Sequence, residues 1–242
     1  MKTKLALLAT TALAALAIAT PASAAGWYLN ISGGANWLND SQFANLAADT
    51  VNDVNDEFDA FDFNNNPDMG YVISGAVGYS LAGLMPGLRV EAEVGYRQNK
   101  VDGLWSTTND TNGDNAGPTA DNGTLDYDHT TLSVLANVWY DFDLAGVKPY
   151  IGGGIGWADV EVDGSYIGGT VPAFSYSDSG FAWQIGGGVN FQVAPSIQLG
   201  VGYRYMEGPE VTVLPPFNTE NIASGVVDSN NHSGVVSLTF GM

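Results

Sequence analysis

Two carboxylates, Glu91 and Glu93, stand two positions apart in the stretch LRVEAEVGYR, and of all side chains they are the best placed to do chemistry. Two such groups, one acid and one base, can carry out general acid–base catalysis. Arg89 and Arg97 share the same alternate positions, however. Arginine forms strong paired hydrogen bonds with carboxylates. We therefore interpret these residues as a salt-bridge network and predict that the chain is not an enzyme.

A second candidate site is the stretch DTNGDNAGPTAD, which resembles the start of a calcium-binding loop. Asp110, Asn112 and Asp114 occupy alternate positions, and Asp121 stands at the twelfth. The sixth position lacks the glycine of such loops, and no helical pattern flanks the stretch. It is the only metal candidate, and the alternative is a polar loop that binds no ion.

No cofactor is predicted. The glycine runs 152–156 and 186–188 superficially resemble phosphate-binding loops, but no helical pattern follows them. In strands, glycine permits bending or close packing. Cysteine is absent, which excludes disulfides and Cys-based metal or redox sites.

The first 24 residues have the pattern of a secretory signal peptide. Lys2 and Lys4 precede an apolar run, and small residues at Ala22 and Ala24 mark a cleavage site. We predict that residues 1–24 are removed and that residues 25–242 form one domain. The chain has a net charge of −19. Nucleic acid is not expected as a partner, because phosphate binding needs a basic surface.

Eight segments of the remaining chain alternate between apolar and polar or small residues with the period of a β-strand. These segments are 27–38, 69–81, 87–100, 129–142, 147–160, 179–193, 196–207 and 232–242. Beyond the signal peptide, no apolar run is long enough for a spanning helix, which needs about 20 residues. A membrane location therefore requires a closed barrel, since only helices and barrels satisfy their backbone groups in lipid.

The connections between the segments alternate between short and long. The long regions, 39–68, 101–128, 159–178 and 207–231, carry eight, six, four and four acidic residues and no lysine or arginine. Short turns at one end and long loops at the other are typical of outer-membrane barrels. The sequence thus predicts an all-β, eight-stranded, antiparallel up-and-down transmembrane barrel with four long acidic extracellular loops.

In ordered stretches such as GWYLNISGGANW, LRVEAEVGYR, FAWQIGGGVNF and the terminal SLTFGM, the chain resembles the OmpA-like and Omp25/Omp31-like small outer-membrane β-barrels of Gram-negative bacteria. The resemblance implies an integral outer-membrane location. The implied partners are outer-membrane lipid and lipopolysaccharide, the barrel-assembly machinery through the C-terminal strand, and a surface ligand or host partner through the loops. Members serve as surface antigens, adhesins and envelope proteins.

We expect the charges of the opening stretch to face the lumen with Arg204 of the segment 196–207. The centre of this network is expected to be Glu91 and Glu93 with Arg204 and Arg97. The predicted network is Arg89, Glu91, Glu93, Arg97 and Arg204. If this network seals the barrel, we expect a structural protein of the envelope that interacts with other molecules at the cell surface, as an antigen or adhesin does. The alternative is a minor porin or narrow ion channel lined by the same charges, and a remote alternative is a lipid-modifying enzyme of the outer membrane.

Overall fold

The computed structural model describes residues 26–39, 60–108, 121–144, 147–167, 173–213 and 225–241. The predicted signal peptide, 1–24, lies outside them. Eleven strands occupy the described ranges: β1 (Trp27–Leu38), β2 (Ala60–Pro67), β3 (Gly70–Ser80), β4 (Leu88–Thr108), β5 (Asp121–Asp141), β6 (Val147–Ile167), β7 (Phe174–Ala194), β8 (Ile197–Glu207), β9 (Val211–Val213), β10 (Gly225–Val227) and β11 (Asn231–Phe240). Over the same ranges, no helix has the length and apolarity that a membrane crossing requires.

The strands form a closed antiparallel barrel. β1 pairs with β3 on one side and with β11 on the other, while β4 to β8 follow in chain order and β8 pairs with β11. β2 continues the line of β3 along β4, pairing with Val101–Thr108 where β3 pairs with Arg89–Gln98. The barrel wall therefore has eight strand positions, as predicted, and the pairing of β4 with β5 closes it.

Four consecutive strands are longer than the sequence pattern predicted. β4, β5, β6 and β7 each have 21 residues. β1, β3, β8 and β11 have 12, 11, 11 and 10. A tilted strand crosses the membrane in about 9–11 residues, so the long strands extend well past it. Parts of the predicted loops 101–128 and 159–178 are therefore strand.

The sequence analysis ended these strands too early because their apolar and polar faces exchange sides along the strand. At the level of Val134 and Ile155, which are more than half exposed, the outer face is apolar. Further along, Asp128, Asp159 and Asp163 occupy the outer face. The alternation continues there with the polar side outward, as in a soluble protein.

Apolar side chains fill the interior of the extension, and we call this group the mouth cluster. Its buried members are Leu38, Val101, Tyr127, Val160, Val162, Val211 and Val227, with Phe174 and Tyr176 packed against it. Val211 and Val227 come from β9 and β10, which pair as a small hairpin inside the predicted loop 207–231. The loop thus contributes side chains to the core of the extension.

Inward-facing glycines make space for the largest interior side chains. A Cβ at Gly78 would overlap the Tyr28 ring, and one at Gly202 would overlap the Tyr150 hydroxyl. A Cβ at Gly152 would overlap the Val138 carbonyl oxygen and lie 2.6 Å from Trp139 Cε3. Because glycine occurs on both faces of β6, the alternation of apolar and polar residues was hard to recognise in this segment of the sequence.

We predict that Gly152→Ala destabilises the barrel while Gly75→Ala does not. The methyl group introduced at position 152 would push β5 and β6 apart, at a cost of about 1–3 kcal/mol. A methyl group at Gly75 meets nothing within 4 Å. Reversible urea unfolding in lipid vesicles measures both. Equal midpoints for the two variants would show that the glycine at 152 is not needed for packing.

Candidate functional site in the barrel interior

The alternation of β4 sends four of its charged residues into the barrel. Arg89, Glu91, Glu93 and Arg97 are all at most 5% exposed, and Arg204 of β8 is 6% exposed. The structure therefore places all five residues of the predicted network in the interior. It divides them among three levels along the barrel axis.

The level nearest the short turns is the lower cluster, formed around Arg89 and Glu91. Arg89 Nη1 lies 2.7 Å from Glu91 Oε1, and its Nε lies 2.8 Å from Asp141 Oδ2. Tyr28 and Trp139 donate hydrogen bonds to the two oxygens of Glu91 at 2.9 and 2.8 Å. Every oxygen of this buried carboxylate is therefore paired, as burial of a charge requires.

Aromatic rings surround the guanidinium of the lower cluster. The Arg89 Cζ atom lies 5.8 Å from the Tyr28 ring centroid, 5.9 Å from that of Trp139 and 5.4 Å from that of Tyr150. Cations are attracted to ring faces within about 6 Å. The rings therefore stabilise the charge and also fill the space around it.

The middle level is centred on Glu93. Its Oε2 lies 2.7 Å from Arg204 Nη1 and accepts a hydrogen bond from Asn137 Nδ2 at 3.2 Å. Gln184 Nε2 donates to Glu93 Oε1 at 3.3 Å and to Asn137 Oδ1 at 2.8 Å. Residues of β4, β5, β7 and β8 thus meet at one carboxylate.

Arg97 belongs to a third level, where Glu93 acts on it electrostatically without forming an ion pair. Among the described residues it makes no ion pair, and its Nη1 donates to Ser133 Oγ at 3.1 Å. The sequence placed Arg97 at the centre of the network together with Glu91, Glu93 and Arg204. The structure instead pairs Glu93 with Arg204 and Glu91 with Arg89.

Amide side chains of β1, β4 and β11 at the third level form hydrogen bonds with one another. Asn36 Nδ2 donates to Asn99 Oδ1 and, at 2.8 Å, to Asn231 Oδ1. Ser233 donates to Asn36 Oδ1 at 2.6 Å. These side chains link β1, β4 and β11 below the mouth cluster.

Sequence reasoning missed four contributors to the lower cluster: Tyr28, Trp139, Asp141 and Tyr150. Trp139 was the clearest signal, because it falls on the inner face of a strand whose outer face is apolar. Its indole N–H explains that position, since it donates to Glu91. Asp141 lies near the end of the predicted segment 129–142, and only the register of the strands shows that it faces Arg89.

The calcium candidate receives no structural description. Asp110, Asn112 and Asp114 lie outside the described residues, and Asp121 begins β5. In the part of the chain that is described, no three histidine, cysteine, aspartate or glutamate side chains group as metal ligands.

A family model described as "outer membrane protein beta-barrel domain" matches residues 5–240. The chain belongs to this family. An "outer membrane protein" of Gluconacetobacter diazotrophicus is 29% identical over 96% of this chain. The chain spans 60% of the length of that relative. The family and the closed barrel together confirm the prediction that this chain is an integral protein of the outer membrane.

Solved structures show the same fold. Neisserial surface protein A superposes with a TM-score of 0.51 at 18% identity, covering 90% of this chain and 97% of that one. OprG from Pseudomonas aeruginosa superposes with a TM-score of 0.51 at 13% identity, covering 92% and 100%. At these identities the likeness establishes the barrel architecture alone.

We predict that Glu93→Gln lowers the free energy of unfolding by about 3–5 kcal/mol, because it leaves Arg204 buried without its counter-charge. Glu207→Gln is the matched control. Glu207 lies on the outer face at the end of β8, and its one hydrogen bond is a 3.4 Å contact from Tyr205. That change should cost about 0–1 kcal/mol. Urea unfolding of both variants measures the difference, and an unchanged Glu93→Gln midpoint would contradict the role assigned to the pair.

Proposed function

We propose that this outer-membrane barrel is a non-enzymatic surface protein, closed to solutes by its own interior and active through the strands and loops above the membrane. The observation that carries the proposal is the set of buried and mutually paired side chains inside the barrel. An eight-stranded barrel is just wide enough for its side chains to fill. Here the lower cluster, the Glu93 level and the mouth cluster follow one another along the axis.

The closure is supported by contacts between strands that are not neighbours in the sheet. Glu93 of β4 reaches Arg204 of β8, and Tyr28 of β1 reaches Glu91 of β4. Trp139, one of the largest side chains, is 1% exposed between these two levels. An ion would have to displace paired charges at two levels and then pass an apolar level. This favours a seal over the minor porin or narrow channel.

The same contacts support a function without catalysis. Both oxygens of Glu91 and of Glu93 accept hydrogen bonds from protein donors, so neither carboxylate is free to take a proton from a substrate. A lipid-modifying enzyme could use a lipid-facing His-x-Ser pair, to which His129 and Thr131 are the nearest match in this sequence. They are 1% and 0% exposed and face the interior. They are therefore not available to lipid, which disfavours the lipid-modifying alternative.

The surface role rests on the extended strands. Their outer face above the membrane carries carboxylates and one base, Lys100, and it continues into the acidic loops. Its acidic members are Asp102, Asp126, Asp128, Asp159, Glu161 and Asp163. Such a face attracts cationic partners and repels anionic ones. A surface ligand or host partner would engage this face and the loops, and lipopolysaccharide would surround it.

Export and insertion belong to the same proposal. Residues 1–24 would direct secretion and be removed, leaving 25–242 as the barrel domain. The C-terminal strand β11, whose outer face carries Val236, Leu238 and Phe240, would be the segment that the barrel-assembly machinery binds.

We predict that the wild-type protein, purified from outer membranes, gives no stable openings in planar lipid bilayers in which a general porin conducts. An interior filled by its own side chains would leave no continuous aqueous path. Single-channel recording tests this, with Glu93→Gln recorded beside the wild type. Stable wild-type openings that change in the Glu93→Gln variant would replace the seal with the channel.

We predict that a cysteine at position 177 is labelled by a membrane-impermeant maleimide on intact cells, whereas one at position 84 is labelled only after the outer membrane is permeabilised. Ser177 is exposed on the β7 extension, and Leu84 is 82% exposed in the turn between β3 and β4. The chain has no cysteine of its own, so each variant carries a single label. The opposite pattern would invert the orientation and remove the surface role.

A further inference from the structure

One side of β7 above the membrane has no strand partner among the described residues. Residues 174–191 of β7 pair with β6 on one side. On the other side, the pairing with β8 begins only at Trp183, which stands opposite Glu207. Residues 174–182, which we call the open edge, therefore present a row of N–H and C=O groups to solvent. Such a row is a template for an additional strand.

The chain that follows β8 leaves the edge open because it turns into the barrel. Gly208 and Pro209 come directly after β8, and proline has no N–H with which to continue a ladder of hydrogen bonds. A Cβ at Gly180, on the inward face of β7, would lie 3.1 Å from Pro209 Cβ. Val211 of β9 is then buried in the mouth cluster, and β9 pairs with β10.

The outward row of the open edge consists of short hydroxyl side chains, and a carboxylate of β6 stands directly opposite each one. The three pairs are Ser175 with Asp163, Ser177 with Glu161, and Ser179 with Asp159. All three serines are exposed. Since neighbouring strands are spaced by about 4.8 Å, an added strand would lie about 10 Å from these carboxylates. Only the short serine side chains would stand between them.

The carboxylates of this row lack cationic partners. None of the three makes an ion pair with a described residue. The Oε2 atom of Glu161 is buried and has no hydrogen-bond partner in the described part of the chain. Partial burial, and after it the charge of Asp163, raise the pKa of the Glu161 carboxyl group. A fourth carboxylate, that of Asp178, is exposed on the edge strand itself and accepts a hydrogen bond from the Ser179 N–H at 2.7 Å.

We propose that the open edge binds an extended basic segment of a partner protein as an additional β-strand, with lysine or arginine at alternate positions beside the serine row. Backbone hydrogen bonds to β7 give such pairing its affinity, and the alternate side chains give it specificity. The long basic side chains cross the serines and reach the carboxylates of β6. This inference rests on the proposed surface role and specifies how the partner is held.

Charge argues against a second copy of this chain as the occupant. Pairing of two open edges would place the two serine rows side by side and bring a second set of carboxylates without a base. The whole chain already has a net charge of −19. A basic segment instead supplies the charge that the row lacks, and opposite charges on the two partners favour association.

The peptide acetyl-(Lys-Val)4-amide tests the pairing without any change to the protein. Its affinity for the wild-type protein in bilayer discs of uncharged lipid is measured by calorimetry, beside two versions N-methylated at every lysine or at every valine. Only one of these sets of N–H groups can face β7. One methylated peptide should therefore bind about ten-fold or more weakly, because it loses several backbone hydrogen bonds, and the other should bind like the parent. Equal binding of both versions, or no binding of the parent, would overturn the edge pairing.

Hydrogen exchange locates the bound peptide. The amides of the open edge should exchange more slowly in its presence, whereas residues 183–191, which are already paired on both sides, should not change. Slower exchange elsewhere but not in 174–182 would place the peptide on another surface. The labelling of position 177 on intact cells decides the surface role separately.

Two single substitutions test the acidic row. Asp163→Asn, one strand from the open edge, should weaken binding of the unmodified peptide by about two- to five-fold, as expected for the loss of one exposed ion pair. Asp126→Asn is the matched control, because it removes the same charge from the outer face of β5, one strand further away. It should bind the peptide as the wild type does. An equal loss in both variants would show general attraction to the acidic surface and would contradict the proposed contact with the row.

Discussion

The ion pair between Glu93 and Arg204 is the interaction around which the interior is organised. It joins strands that lie on opposite parts of the sheet order, and the same carboxylate also binds side chains of β5 and β7. A charge removed from water must have its partners within hydrogen-bond distance. In a narrow barrel those partners come only from neighbouring and facing strands. The register of four strands is therefore coupled to one side chain, since a slip by one residue would turn it outward.

The second organising principle is that a single strand passes through two solvents. Within the membrane its outer face is apolar and its inner face polar, and above the membrane both assignments are exchanged. The backbone alternation continues unbroken across the boundary, so β4 to β7 remain regular for 21 residues each. The mouth cluster is the interior that this exchange produces.

Much of the fold could be predicted from the sequence because period-two alternation is a local property. It defined eight segments, their facing directions and the alternation of short and long connections. The full lengths of β4 to β7 could not be predicted from the rule that apolar side chains face outward, because that rule fails above the membrane. β2 was missed as well, because the stretch Asn64–Pro67 reads as a loop, and only pairing with β4 makes it a strand. The pairings inside the lumen depend on which strands face each other, as with Asp141 and Arg89. No pattern along one strand contains that information.

The mouth cluster also gives the two halves of the barrel different responses to temperature. Its valines and tyrosines are buried away from water, so their association is driven by the hydrophobic effect, which weakens on cooling. The membrane half is surrounded by lipid and held by ion pairs and hydrogen bonds, whose strength does not depend on releasing water from apolar surface. Cooling therefore loosens the half above the membrane relative to the membrane half. The heat-capacity change of unfolding is correspondingly concentrated in the part of the protein that holds the mouth cluster.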